Sequence, residues 1–124
     1  TRDRVCTVSQ CRDGLRTASD IQEVWSQIVT EAHERGIKVF GATVTPVKGN
    51  GYYSEDHEAG RQQLNNWIRT SGTFDGVIDF DKMVAWADDP LCLDPAYLYE
   101  NDWLHLNAHG YEVMGYGIDL SLFK

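Results

Sequence analysis

The order of apolar patterns along the chain predicts an α/β fold built on a parallel sheet. An amphipathic stretch from about Asp20 to Arg35 runs directly into the apolar segment Ile37 to Val44, and a second amphipathic stretch after Ser54 runs into the apolar segment Val77 to Phe80. Both apolar segments are short, continuous and rich in branched or aromatic residues, the pattern of strands buried on both faces. Helix followed by buried strand, twice over, is the alternation of parallel α/β architecture.

The first helix has its own signals. Ser19 with Gln22 reads as a capping box, and Ile21, Trp25, Ile28, Val29 and Ala32 form one apolar stripe. His33 and Arg35 suit the negative end of the helix dipole, and Gly36 suits a left-handed stop. The strand after it ends at Thr45-Pro46. Lys48 to Tyr53, with Gly49 and Gly51 around Asn50, then forms a loop at the carboxyl end of that strand, where open α/β sheets bind ligands. Tyr52 and Tyr53 are accordingly candidates to line a site.

Ser54, followed by Glu55, Asp56 and Glu58, opens the second helix, with Leu64, Trp67 and Ile68 as its buried edge and Ser71-Gly72 as its end. After the second strand, Asp81 to Trp86 reads as a short helical turn, and Asp88 to Tyr99, with Pro90 and Pro95, as a connecting loop. Asn107 caps a last helix carrying Tyr111, Met114 and Ile118, and Leu122-Phe123 finish the chain. Residues 1–18 carry Arg2, Arg4, Arg12 and Arg16 without either periodicity and read as a polar tail. Two strands alone leave open edges and bare apolar surface. Either the first 18 residues add a strand, or further chain completes the sheet.

Composition narrows the function. With 124 residues, 42% hydrophobic and 24% charged, one globular core is expected. A formal charge of -8 without a basic patch argues against a nucleic-acid partner. No apolar run approaches the length of a transmembrane segment. The chain starts at Thr1 with no leader pattern, which leaves the compartment open. Of Cys6, Cys11 and Cys92, the first two could bridge in a secreted protein; three free thiols is an equal reading.

The chemistry concentrates in Asp102-Trp103-Leu104-His105, directly before the Asn107 cap. A carboxylate three residues ahead of a histidine can accept the Nδ1 proton, fix the tautomer and leave Nε2 to take a proton from a nucleophile. Trp103 either flanks a substrate pocket or packs inward. A lesser reading puts a divalent metal on Asp102, His105 and His109, although the cap places His105 before the helix and His109 within it. Ser54, three residues before His57, is better explained as a helix cap than as a nucleophile.

His33 through Thr43, then Thr45-Pro46, the glycine-tyrosine loop, Arg61 to Trp67, Val77 to Asp81 and Asp102 to His105, in that order, resemble the carboxyl half of SGNH hydrolases, the GDSL-type esterases and lipases. The similarity spans Ser19 to Lys124 and leaves residues 1–18 unmatched. It implies a three-layer α/β/α, flavodoxin-like fold of which this chain holds the last two parallel strands and their flanking helices. It further implies that His105 is the catalytic base and Asp102 its orienting carboxylate, with no metal or organic cofactor, acting on a small-molecule or carbohydrate ester. A secreted protein fits the same resemblance.

The family's Gly-Asp-Ser nucleophile block and its oxyanion-hole blocks do not occur in the chain, and Leu106 stands where many members have proline. The chain alone is therefore expected to be nearly inert, with a looser histidine, and to need a complementing chain or an amino-terminal half to supply the serine. The alternative is a non-catalytic relative whose Gly49 to Tyr53 loop binds a carbohydrate or a protein.

Overall fold

Thr17, not Ser19, opens the first helix in the computed structural model, which describes residues 17–124. Helix α1 runs Ala18–Glu34; the Thr17 hydroxyl accepts from the Asp20 amide, and the Asp20 carboxylate accepts from the Thr17 amide. The reciprocal box exists, two residues earlier than expected, because an aspartate fills the position where glutamate or glutamine is the usual signal. At the other end Gly36 takes φ +71° as expected, and the Ile37 amide donates back to the Ala32 carbonyl. Val29 is buried and Ile21 and Trp25 partly so, whereas Ile28 stays 55% exposed.

Strands β1 (Phe40–Ala42) and β2 (Gly76–Ile78) pair in parallel, with Phe40 opposite Gly76 and Ala42 opposite Ile78. The α/β class and the parallel sheet are as expected; the strand lengths are not. Ile37, Val44 and Val77 are exposed, and Phe80 belongs to the helix after β2. A three-residue pairing with no third strand among the described residues cannot hold an eight-residue run in the ladder or cover both of its faces.

Helix α2 (Glu55–Thr70) begins at Ser54, whose hydroxyl accepts from the His57 amide, so that serine is a cap. Its apolar residues Leu64 and Ile68 pack with Ala18, Ile21, Trp25, Trp67 and Phe74 between α1 and the sheet. A side chain at Gly41 would enter the Phe74 ring, so glycine lets β1 lie against this layer. Phe40 meets Phe123 edge-on at 5.1 Å on the opposite side of the strand. Trp86 is only partly buried.

The same α2 face continues with buried Glu58, Arg61 and Asn65. Arg61 forks onto Glu58 at 2.9 and 2.6 Å and donates to Asp81 at 2.7 Å and to the Val44 carbonyl at 2.9 Å. Asn65 accepts from the Val44 amide and donates to the Val44 carbonyl, replacing the sheet partners that the residue lost at the strand end. Arg69 forks onto Asp79 and reaches Asp81 at 2.7 Å, while Thr43 donates to Asp79 and accepts from the Asp81 amide. Among the described residues no buried side-chain polar atom lacks a partner. These bonds clamp α2 to the carboxyl ends of both strands.

The Arg69 guanidinium holds the Asp79 carboxyl down at about 2, against the opposing cost of partial burial. A carboxyl whose folded value lies below its unfolded value near 4 stabilises the fold above that value and loses the contribution as pH falls toward 2. Urea unfolding is therefore expected to lose about 2 kcal/mol between about pH 4 and pH 2 from this group. Asp79→Asn should flatten that part of the profile; an unchanged acid limb would show that the pairing contributes nothing.

Helix α3 (Phe80–Val84) is capped by Asp79, which explains why Phe80 leaves the strand. Val84, Leu93, Leu98 and Leu106 form a second core, with Met83, Tyr97, Trp103 and Met114 packed on it. Antiparallel bridges Ala85 to Leu93 and Leu98 to Leu106, and a 3₁₀ turn at Pro95–Tyr97, order the expected loop. Helix α4 (Ala108–Tyr116) is capped by Asn107, as expected. Tyr111 is 56% exposed and Ile118 lies past the helix end, so Met114 alone of the expected three serves as its core contact. Cys92 is a buried free thiol. Cys6, Cys11 and the expected polar tail lie outside the described residues, apart from its last two positions, Thr17 and Ala18, which cap and open α1. Among the described residues no helix is long and apolar enough to cross a membrane.

Candidate active site

The segment between the Leu98 to Leu106 bridge and the Asn107 cap is a tight turn, and its two ends are fixed before its chemistry begins. The Tyr99 amide donates to the His105 carbonyl at 3.0 Å and the Asp102 amide to the Tyr99 carbonyl at 3.2 Å. At the far end the Asn107 amide donates to the Tyr97 carbonyl, and its side chain donates to Ala96 while capping α4. Leu106 is buried in the second core, opposite Leu98. Where many family members have proline, packing and the bridge tie down the backbone that follows His105.

Within that turn Asp102 gathers two backbone donors and one ring nitrogen. Its Oδ1 accepts from the Leu104 amide at 2.9 Å and the His105 amide at 2.8 Å, and its Oδ2 meets His105 Nδ1 at 2.6 Å. The His105 amide, then the His105 ring, then the Leu104 amide hold the Asp102 carboxyl below its ordinary range. The acid therefore remains an acceptor. The His105 side chain is 62% exposed and that of Asp102 32%, so the ring is presented to solvent while its Nδ1 edge is occupied. Nε2 makes no hydrogen bond among the described residues. A hydroxyl brought to that nitrogen could give up its proton there.

The remaining expected site residues are distributed around the pair. Trp103 is partly buried, packs on the second core and faces the backbone of Gly49. Tyr52 is 54% exposed, its amide donating to Asn50 Oδ1 and its carbonyl facing His57 Nδ1 at 2.7 Å. Tyr53 is partly buried and its amide donates to the Asn50 carbonyl. No hydrogen bond joins either phenol to His105 among the described residues. What the fold does bring to the pair is Asn50, whose Nδ2 donates to the Asp102 carbonyl at 2.8 Å. The Gly-Asn-Gly triplet marked a turn in the sequence, but nothing in it pointed to Asp102.

The donor set for a metal at Asp102, His105 and His109 is not assembled. No group of three or more histidine, cysteine, aspartate or glutamate side chains could hold an ion among the described residues. His109 lies within α4 and meets the Tyr97 ring edge-on at 5.3 Å. A second histidine-carboxylate pair, His33 Nε2 to Asp75 at 2.7 Å, joins the end of α1 to the residue before β2. That pair sits at the amino ends of the strands and also secures the Val39 amide. Sheets of this kind bind ligands at the other end.

A model of the GDSL-like lipase/acylhydrolase family matches residues 11–113 of the chain. A search of curated proteins finds no match to it.

Proposed function

The chain belongs to the GDSL-like lipase/acylhydrolase family, and from that premise we propose that it carries the base and the orienting acid of a serine ester hydrolase. His105 accepts the proton of a serine hydroxyl at Nε2 as that oxygen attacks an ester carbonyl, then returns the proton to the leaving alcohol. Asp102 keeps the neutral ring protonated on Nδ1 and stabilises the imidazolium that forms. Water repeats the sequence on the acyl-enzyme and releases the acid. The observation that carries this reading is the 2.6 Å contact between Asp102 Oδ2 and His105 Nδ1.

The substrate class is a small-molecule or carbohydrate ester, and neither metal nor organic cofactor takes part in the steps above. The 124 residues contain no Gly-Asp-Ser block, so the nucleophile is supplied from sequence outside them. Both the acyl-enzyme and the oxyanion donors depend on that supply.

The test uses the chain by itself. A serine-directed phosphonate is expected to leave its mass unchanged, and p-nitrophenyl acetate should be hydrolysed no faster than by the His105→Ala variant. A stoichiometric phosphonate adduct on a serine of this chain would mean that the nucleophile is already present. Tight binding of an oligosaccharide or a protein through the Gly49 to Tyr53 loop, with no hydrolysis after the Gly-Asp-Ser sequence is supplied, would favour a binding module instead.

A further inference from the structure

Three of the four residues from 100 to 103, just before the histidine, sit where L-residues rarely do: φ is +48° at Glu100, +56° at Asn101 and +58° at Trp103. For a bulky aromatic such as Trp103 the left-handed region is strained and persists only where neighbours over-determine it. The rotation in question is that of the peptide joining Asp102 to Trp103. Its carbonyl belongs to Asp102, and that carbonyl accepts from Asn50 Nδ2 at 2.8 Å.

Asn50 is itself held at both ends of its amide. Its Oδ1 accepts from the Tyr52 amide at 3.0 Å, which aims Nδ2 at Asp102, and its backbone is fixed by bonds to Val47 and from Tyr53. Beside it, Gly49 takes φ +102° and lies so close to the indole that a Cβ there would come within 2.6 Å of Trp103 Cγ. The loop leaving β1 thus grips the turn twice, once on the carbonyl before Trp103 and once on the ring.

We propose that Asn50 is a positioning residue for the His105 base: by holding the Asp102 carbonyl it keeps the Asp102 to Trp103 peptide in the left-handed setting. This deepens the proposed ester hydrolase reading and rests on it. If that peptide relaxed to negative φ, the Leu104 and His105 amides would swing away from Asp102 Oδ1. The carboxylate would then lose the two bonds that aim Oδ2 at the ring. The position of Nε2, and the tautomer that leaves it unprotonated, are therefore set by a bond between Asp102 and a residue 52 positions before it.

The experiment is solution NMR on the full chain, with Asn50→Asp and Asn50→Ala as variants. Asn50→Asp keeps the acceptor for the Tyr52 amide and so preserves the loop turn, but it puts an acceptor where the donor was. Both variants are expected to speed amide exchange at Leu104 and His105 about tenfold, the loss of one ordinary hydrogen bond, while α2 amides are unchanged. Both should also lose the ¹⁵N signature of an imidazole protonated on Nδ1, which a mere change of loop stability would not move. In the unmodified chain a coupling across the hydrogen bond from Asn50 Nδ2 to the Asp102 carbonyl carbon is expected. Its absence, or a folded variant with parent exchange and parent tautomer, overturns the assignment. Those outcomes strike Asn50 alone, whereas a parent imidazole protonated on Nε2 overturns the proposed base as well, so the two failures are distinguishable.

Discussion

Arg61→Met is expected to destabilise the fold by about 3 to 5 kcal/mol, the usual consequence of removing one partner from a buried ionic group. The Arg61 side chain is 5% exposed, Glu58 9% and Asp81 11%, so water cannot replace what the guanidinium supplies. Deleting it leaves the buried Glu58 carboxylate with the Gln62 amide as its side-chain donor and takes one of two side-chain donors from Asp81 and from the Val44 carbonyl, which keep Arg69 and Asn65. Arg69→Met should cost clearly less, because Arg69 is 22% exposed and its partner Asp79 keeps a hydroxyl from Thr43. Urea unfolding of the two variants beside the parent checks the order. Equal losses would mean that charge, not burial, sets the energetics. Because Arg61 also grips the exit of β1, the Arg61 variant should loosen the loop that carries Asn50.

In a form that includes the family's Gly-Asp-Ser sequence, Asp102→Asn should reduce kcat on a p-nitrophenyl ester about 10⁴-fold, with KM nearly unchanged. The amide preserves the shape of the turn but can present its NH₂ to Nδ1, forcing the proton to Nε2 and removing the base. His105→Ala should be no more active than Asp102→Asn, since two residues acting as one unit do not add. A loss of tenfold or less for Asp102→Asn would make the carboxylate a scaffold for the Leu104 and His105 amides and not an orienter of the ring.

What could be read from the sequence was what is local. The caps at Ser54 and Asn107, the stop at Gly36 and the Asp102 to His105 pair all join residues within about one helical turn, so spacing alone carries them. The start of α1 was misplaced by two residues because Ser19 competes with Thr17 for the same role, and only the aspartate at position 20 decides it. Strand lengths were overstated because apolar runs report the wish for burial, whereas pairing depends on a neighbour. The charged face of α2 was not legible at all: Glu58, Arg61 and Arg69 look like a solvated helix surface until β1, β2 and α3 deliver Val44, Asp79 and Asp81 to them. Asn50 was hidden for the same reason, since its partner is the Asp102 backbone and no side-chain pattern marks it.

His105 is poised as a base only if its neutral ring carries the proton on Nδ1. Long-range ¹H–¹⁵N spectra of His105, recorded where the imidazole is neutral, report that directly in the parent and in Asp102→Asn. The expected result is a parent ring protonated on Nδ1 with a bare Nε2, and an Asp102→Asn ring that has lost this preference. A parent ring protonated on Nε2, or a preference indifferent to the loss of the carboxylate, would contradict the assignment of His105 as a poised base.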